Sequence, residues 1–189
     1  MKQRKFYIDF FFLFKKIRDT KKAQTPITFK YWFIQKILRF NPGAYWPMHF
    51  SSLVICPDNV VLGVDTNPGY MPGCYIQAAE KIEIGDYTQI APNVALITSN
   101  HDPHQNNIHA EAKSIIIGKY CWIGYGAVIL PGVKLGNNTI VGANAVVTKS
   151  FEEGYIVLAG NPALPIKNID KDKCTEFKNA IEYIGYYPK

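Results

Sequence analysis

Cysteine is scarce in this sequence, and two common phosphate-binding motifs are missing. The 189 residues include four cysteines, which lie far apart and form no Cys-x-x-Cys pair. This spacing disfavours a zinc ribbon and a secreted disulfide framework, and without a cleavable leader in the sequence we expect a reducing, cytoplasmic location. Neither a GxxxxGK(S/T) loop nor a GxGxxG turn occurs, so nucleotide binding by a glycine-rich loop is not indicated.

Negative charge is nearly absent from the start of the chain. Residues 1–39 contain 11 Lys and Arg but only 2 Asp, whereas residues 40–189 contain 10 Lys and Arg and 13 Asp and Glu. The net charge of +6 therefore comes from the front of the chain, and the remainder offers no continuous basic track for nucleic acid. The 14 Gly and 12 Pro argue against an all-helical fold and for short strands joined by tight corners.

The front of the chain, residues 1–43, is predicted to be an aromatic and basic helical segment. Residues 6–17 and 28–40 each favour a helix, and the second ends before an Asn-Pro-Gly stop signal. No apolar run approaches the roughly 20 residues that a membrane-spanning helix needs. We favour packing of this segment on the body of the protein. A peripheral contact of residues 1–20 with the inner face of a membrane is the alternative, because basic side chains surround the aromatic rings.

A six-residue period is the strongest pattern in the sequence. Branched aliphatic residues occupy six successive positions of one register: Ile117, Ile123, Ile129, Leu135, Val141 and Val147. The period matches neither an amphipathic helix nor an alternating strand, and predicts a solenoid whose short strands stack from coil to coil. Small or β-branched residues recur four positions after each start, and are expected to point inward: Cys121, Ala127, Val133, Thr139 and Ala145. We interpret Cys121 as a packing residue rather than a nucleophile.

Glycine follows four of these six aliphatic positions. The four residues are Gly118, Gly124, Gly136 and Gly142. The expectation is that these glycines supply the permissive φ angles with which the chain turns each corner.

Residues 115–149, followed by Gly-Asn-Pro-Ala at 160–163, resemble the hexapeptide-repeat acyltransferases, in particular the branch of galactoside, maltose and polysaccharide O-acetyltransferases. The resemblance implies a mainly β fold, a left-handed parallel β-helix at residues 44–169, and assembly as a homotrimer with the active site between subunits. It also implies acetyl-coenzyme A as the acyl donor and a saccharide hydroxyl as the acceptor. Residues 170–189 are expected to form a tail with a short amphipathic helix.

The register breaks at residues 98–114, a polar segment that is predicted to protrude as a loop. It holds three of the four histidines, namely His101, His104 and His109. Because residues 84–101 resemble the family segment that leads to its catalytic histidine, the general-base role is assigned to His101. We treat the other two histidines as exposed or substrate-shaping side chains, and Asp102 and Glu111 as possible orienting partners.

The resemblance also assigns the donor site. It places donor contacts at Trp122, Tyr125, Ala143, Thr148, Lys149 and Lys167. The backbone N–H of Tyr125 would stabilise the oxyanion, and the two lysines would meet the donor's phosphates. Leu164 replaces an arginine that is common in the family.

The acceptor is the least defined part of this interpretation. Residues 70–78 resemble the polysaccharide-modifying branch, which favours a hydroxyl on a surface glycan or its precursor. Two alternatives remain open. One is a zinc enzyme similar to the β-helix carbonic anhydrases, although we expect no metal because all three loop histidines come from a single loop. The other is a non-catalytic β-helix module for assembly or sugar binding.

Overall fold

The computed structural model describes residues 10–189, and within them the chain is mainly β-structure with two helices near the front. The helices are α1 (Phe10–Asp19) and α2 (Phe29–Lys36). The strands are β1 (Leu53–Ile55), β2 (Val60–Leu62), β3 (Tyr75–Gln77), β4 (Ile82–Ile84), β5 (Gln89–Ile90), β6 (Ala95–Ile97), β7 (Ile115–Ile117), β8 (Trp122–Ile123), β9 (Val128–Ile129), β10 (Lys134–Leu135), β11 (Ile140–Val141), β12 (Val146–Val147), β13 (Ile156–Ala159), β14 (Leu164–Asn168), β15 (Tyr183–Ile184) and β16 (Tyr187–Pro188).

Three sheets contain the first fourteen of these strands in residues 10–189, and the chain visits the sheets in rotation. Sheet A has the order β1-β3-β6-β9-β12, sheet B the order β2-β4-β7-β10, and sheet C the order β5-β8-β11-β13-β14. All neighbours are parallel except β13 and β14. From β7 to β12 the paired residues are 18 apart, as in Trp122 with Ile140 and Val128 with Val146. One circuit through the three sheets therefore takes three six-residue units.

The core of the coil is the six-residue ladder. The six aliphatic residues of the register from Ile117 to Val147 are each at most 2% exposed, as are the five smaller residues predicted to point inward. Cys121 is among them, and its thiol donates to the carbonyl oxygen of Gly136 at 3.2 Å. Burial raises the pKa of this thiol, so it stays protonated near neutral pH and packs, as predicted.

The corner glycines have a different role from the one expected. Left-handed φ angles fall two residues later in the repeat, at Tyr120, Gly126, Gly132, Asn138 and Asn144. Gly118 and Gly136 are needed instead because the next coil passes too close for a side chain. A Cβ atom at Gly118 would lie 2.6 Å from the backbone nitrogen of Asn137, and one at Gly136 would lie 2.5 Å from that of Gly154.

The described part of the front segment packs against the C-terminal tail. A small apolar cluster joins Leu13 of α1 and Ile27 to two tyrosines of the C-terminal tail, Tyr183 and Tyr186. The predicted helix at 28–40 begins as expected, with Thr28 accepting a hydrogen bond from the N–H of Tyr31, but α2 ends at residue 36. The part of the first predicted helix that precedes residue 10 lies outside the described residues.

The buried carboxylate of Asp65 connects the front segment and the C-terminal tail to the coil. Asp65 is 5% exposed, and its oxygens accept hydrogen bonds from the N–H of Gln24 at 2.9 Å and from the N–H and hydroxyl of Thr25 at 3.0 and 2.8 Å. The side-chain amide of Asn179, from the tail, donates to the same carboxylate at 2.8 Å. The carboxylate is thus satisfied by donors from the front segment and the tail together.

The prediction of an amphipathic helix in residues 170–189 is wrong. The tail contains one 3-10 turn, Lys171–Lys173, and a small antiparallel pair formed by β15 and β16. Gly185 has a φ of +56°, which an α-helix does not allow and a tight turn between two strands does. Phe177 packs against the rings of Tyr87 and Tyr120, so long-range aromatic contacts outweigh the local helical pattern.

Across residues 10–189, neither helix combines the length and the apolar character that a bilayer crossing requires.

Candidate functional site

The predicted loop leaves the coil between β6 and β7 and returns to the same register. Strand pairs that span it are 33 residues apart, as in Ala95 with Val128, whereas later pairs are 18 apart. Thr98 is fully buried at the base of the loop. Its hydroxyl donates to the Gln77 carbonyl at 2.8 Å and accepts from the N–H of Glu80 at 3.0 Å. The loop is therefore an insertion of 15 residues whose base is fixed to the preceding coil.

Inside the loop the backbone forms a short antiparallel ladder around His101. Ala110 donates to the carbonyl of Asn100 at 2.9 Å, and Asp102 donates to that of Ile108 at 3.0 Å. His101 and His109 are directly opposed between these two bonds. Their rings lie 4.6 Å apart, centroid to centroid, at an angle of 32°. Both side chains are exposed, so the predicted base has beside it a second imidazole, that of His109, which the sequence analysis treated as an exposed or substrate-shaping side chain.

The carboxylates considered as orienting partners do not contact an imidazole. Asp102 accepts hydrogen bonds from the backbone N–H groups of His104 and Gln105 at 2.8 and 3.0 Å, and so closes the turn of the loop. Glu111 is exposed. Within the described residues, neither carboxylate forms a hydrogen bond or an ion pair with a histidine ring. The orientation of His101 therefore depends on the ladder and on His109.

Tyr125 and Ala143 lie on consecutive coils of one corner, between sheets C and A. The N–H of Asn144 donates to the Tyr125 carbonyl at 2.7 Å. The Tyr125 hydroxyl accepts a hydrogen bond from the side-chain amide of Asn93, one coil earlier, at 2.6 Å. Among residues 10–189, the backbone N–H of Tyr125 donates no hydrogen bond. Asn93 was not foreseen, and no pattern in the sequence marks it.

Trp122 lies on the outer face of sheet C and is 57% exposed. In the sheet it lies between Gln89 and Ile140. A cleft of about 370 Å³ runs beside it toward Tyr120 and Phe177. Trp122 therefore lies on the face of sheet C that adjoins the corner with Tyr125, which follows three residues later in the chain.

The remaining predicted donor residues lie at two other edges. Thr148 and Lys149 follow β12, at the same corner between sheets A and B from which the histidine loop leaves. The Lys149 ammonium is 5.7 Å from the centre of the Phe151 ring. Lys167 lies on β14, opposite Val157, and is exposed. The structure thus brings Trp122, Tyr125 and Ala143 close in the fold, but it does not bring His101 to them within one chain.

A cleft of about 670 Å³ lies between the tail and the coil and contains none of the predicted site residues. Opposite charges line it, including Asp86 and Lys119, which are 2.9 Å apart. Within the described part of the chain, no three His, Cys, Asp or Glu side chains are grouped to hold one metal ion.

Comparison with known proteins gives consistent matches to acetyltransferases. The bacterial transferase hexapeptide (six repeats) family matches residues 114–149. The chain is 40% identical to the galactoside O-acetyltransferase of Escherichia coli (strain K12) over 102 residues, which cover 52% of this chain and 50% of that protein. It is 36% identical to a putative colanic acid biosynthesis acetyltransferase of the same strain over 87 residues, covering 46% and 47%.

The fold has been observed before. A solved galactoside acetyltransferase in complex with coenzyme A matches with a TM-score of 0.52 and 30% identity, covering 74% of this chain and 70% of that one. The chain spans about half the length of the curated relatives named above. The six-residue register, the three parallel sheets and these matches together show that the chain belongs to the hexapeptide-repeat acyltransferase family.

Proposed function

We propose that the protein is an acetyl-coenzyme A-dependent O-acetyltransferase that acts on a hydroxyl of a sugar or of a surface-polysaccharide precursor. The observation that carries the proposal is the exposed imidazole of His101, presented on a hairpin whose base is fixed to the coil. An exposed imidazole in that setting can serve as a general base toward the hydroxyl of a bound substrate.

The reaction is a direct transfer. His101 removes the proton of the acceptor hydroxyl while its oxygen attacks the thioester carbonyl carbon. A C–O bond forms, the C–S bond breaks, and the imidazolium returns the proton to the departing thiolate. The backbone N–H of Tyr125 donates to the oxyanion, a contribution of about 3 to 4 kcal/mol for one well-placed donor. This N–H donates no hydrogen bond within residues 10–189, which supports the assignment.

The donor follows the coil past the Tyr125 corner. In this proposal Trp122, Ala143 and Thr148 contact its pantetheine arm, and Lys149 and Lys167 meet its phosphates as mobile point charges. With Leu164 in place of the arginine common in the family, these lysines carry the phosphate recognition. No metal ion takes part.

The active unit is a homotrimer of left-handed coils with the site between protomers. The loop that carries His101 follows the C-terminal end of β6, whereas Tyr125 precedes the N-terminal end of β9 in the same sheet A. The two residues therefore lie at opposite edges of this sheet, and in the trimer His101 of one protomer reaches the Tyr125 corner of the next. One outward column of sheet A supports this arrangement, because it consists of apolar and aromatic side chains: Leu53, Tyr75, Ala95, Val128 and Val146.

A polysaccharide precursor is the acceptor class that we favour. The relative named for colanic acid biosynthesis supports it, as do residues 70–78, which resemble the polysaccharide-modifying branch. We place the reaction in the cytoplasm, where precursors are made and where the four cysteines, none of them in a disulfide, stay reduced.

Thiol release from acetyl-coenzyme A, measured with and without candidate glycans, tests the proposal. We expect turnover that depends on the acceptor and falls about a hundredfold or more in His101→Ala, with little change in donor affinity. His104→Ala, from the same loop, is the matched control and should retain turnover. Failure to bind or consume acetyl-coenzyme A with any acceptor would favour a non-catalytic module, and unchanged turnover in His101→Ala would remove the base assignment.

A further inference from the structure

Helix α2 is built with its polar side inward. Gln35 is its one fully buried residue, and its side-chain amide donates to the carbonyls of Ala44 and Trp46 at 3.1 and 3.0 Å. Its oxygen accepts from the Tyr186 hydroxyl at 2.8 Å. These polar contacts, together with the stacking of Tyr31 on Tyr70 at 4.5 Å, attach the helix to the body and leave Phe29 and Phe33 on the outside.

The outer face of α2 continues into a larger apolar surface. Phe29 and Phe33 are stacked at 5.8 Å, and Phe40 and Phe50 meet edge to face at 6.3 Å. Phe50 also borders a small pocket with Ile34 of α2. We define the α2 apolar surface by six residues, which are between 38% and 54% exposed: Phe29, Phe33, Ile37, Leu38, Phe40 and Phe50. An apolar cluster of this kind on a protein surface marks a site of interaction.

The chain segment that carries this surface has charges that are almost all positive. Asp19 is the only Asp or Glu in residues 10–57, and its carboxylate is already occupied by Arg18 and the Tyr183 hydroxyl. Six basic side chains of the same segment are exposed: Lys15, Arg18, Lys21, Lys22, Lys30 and Arg39. A second copy of the chain would bring like charges together here, whereas an anionic lipid surface offers both negative charge and an apolar layer.

We propose that the α2 apolar surface docks on the interface of an anionic lipid bilayer. The phenylalanine rings enter the headgroup region while the surrounding lysines and arginines meet lipid phosphates. This surface lies on α2 and residues 37–50, beyond the segment 1–20 considered from the sequence. The inference does not depend on the acetyltransferase proposal, since it uses none of the same residues.

Co-sedimentation of the full chain with vesicles tests the inference. We expect strong binding to vesicles of phosphatidylglycerol and phosphatidylcholine and about tenfold weaker binding to phosphatidylcholine alone. Phe33→Ser with Ile37→Ser should lower binding about tenfold or more. Val61→Ser, an equally exposed apolar position on sheet B, is the matched control and should bind like the unchanged chain. Lys30→Glu with Arg39→Glu should remove the preference for anionic vesicles.

Fluorescence quenching provides an independent readout. A Phe33→Trp variant should be quenched by lipids that carry bromine on their acyl chains, whereas Val61→Trp should show no added quenching. Equal binding to both vesicle types, absence of binding, or loss of binding in the Val61 control would overturn the proposal. A fall in oligomer size in Phe33→Ser with Ile37→Ser would also overturn it, because a second copy of the chain would then be the occupant.

Discussion

The rings of His101 and His109 lie 4.6 Å apart because the two residues form a pair without mutual backbone hydrogen bonds in the loop's ladder. Side chains in such pairs are closer than in hydrogen-bonded pairs. The second ring therefore restricts the positions that the imidazole of His101 can take. His109 acts here as a positioning residue for the proposed base.

Replacement of His109 should affect the rate more than substrate binding. In His109→Ala we expect kcat to fall about twofold to tenfold, with KM nearly unchanged. A loss of this size corresponds to the free-energy cost of moving a side chain away from its preferred rotamer. His109→Phe keeps a ring in place and should recover most of the rate. Steady-state kinetics of both variants beside His104→Ala measure this, and an equal loss in His109→Phe and His109→Ala would contradict a positioning role.

Mixed oligomers should show that each site uses two protomers. His101→Ala removes the proposed base, and Ala143→Trp should block the donor corner, so each variant alone should be inactive. In an equal mixture, roughly one quarter of the grooves would combine an intact histidine with an intact donor corner. Turnover after co-expression of the two variants is the measurement. An inactive mixture of well-assembled oligomers would place the complete site within one chain.

Asp65 should be a major contributor to stability. In Asp65→Ala the backbone N–H and the hydroxyl of buried Thr25 lose their acceptor, at about 1 to 3 kcal/mol for each unsatisfied group. We expect the free energy of unfolding to fall by about 3 kcal/mol or more, measured by urea denaturation. Asp58→Ala, at an exposed position, should change it by less than about 0.5 kcal/mol.

Alkaline pH should weaken the fold through its buried tyrosines. Burial raises the pKa of Tyr70 and of Tyr87 to about 12, while an unfolded tyrosine has a pKa of about 10. Between these values the folded state holds more protons, so stability is fully present below pH 10 and is lost as pH rises toward 12. The loss should be about 1 kcal/mol per tyrosine between pH 9 and 11. Unfolding of Tyr87→Phe at both pH values should show a smaller decrease.

The repeating part of the fold could be predicted because an aliphatic residue recurs every six positions and each one is buried in the same core. Each aliphatic residue from Ile117 to Val147 is followed six positions later by another that meets the same core. A period of this kind is a local property of the sequence. The protruding loop could also be predicted from the sequence, because the insertion interrupts the six-residue period.

The tail and the details of the loop could not be predicted, because distant residues decide them. Phe177 is fixed by Tyr87 and Tyr120, far earlier in the chain. The pairing of His101 with His109 depends on a ladder register that no turn signal specifies. The corner glycines were located correctly but explained wrongly, since the close passage of the next coil is a tertiary contact.

The coil resumes its register after the fifteen added residues, so the chemistry of the loop is separable from the scaffold beneath it. Replacement loops of different length and side chains could be accepted at this corner without moving the donor corner or the stacked aliphatic ladder. Under the proposed function, evolution could thus exchange the loop that selects and activates the alcohol while the donor corner stays unchanged. One scaffold could in this way modify many different glycans.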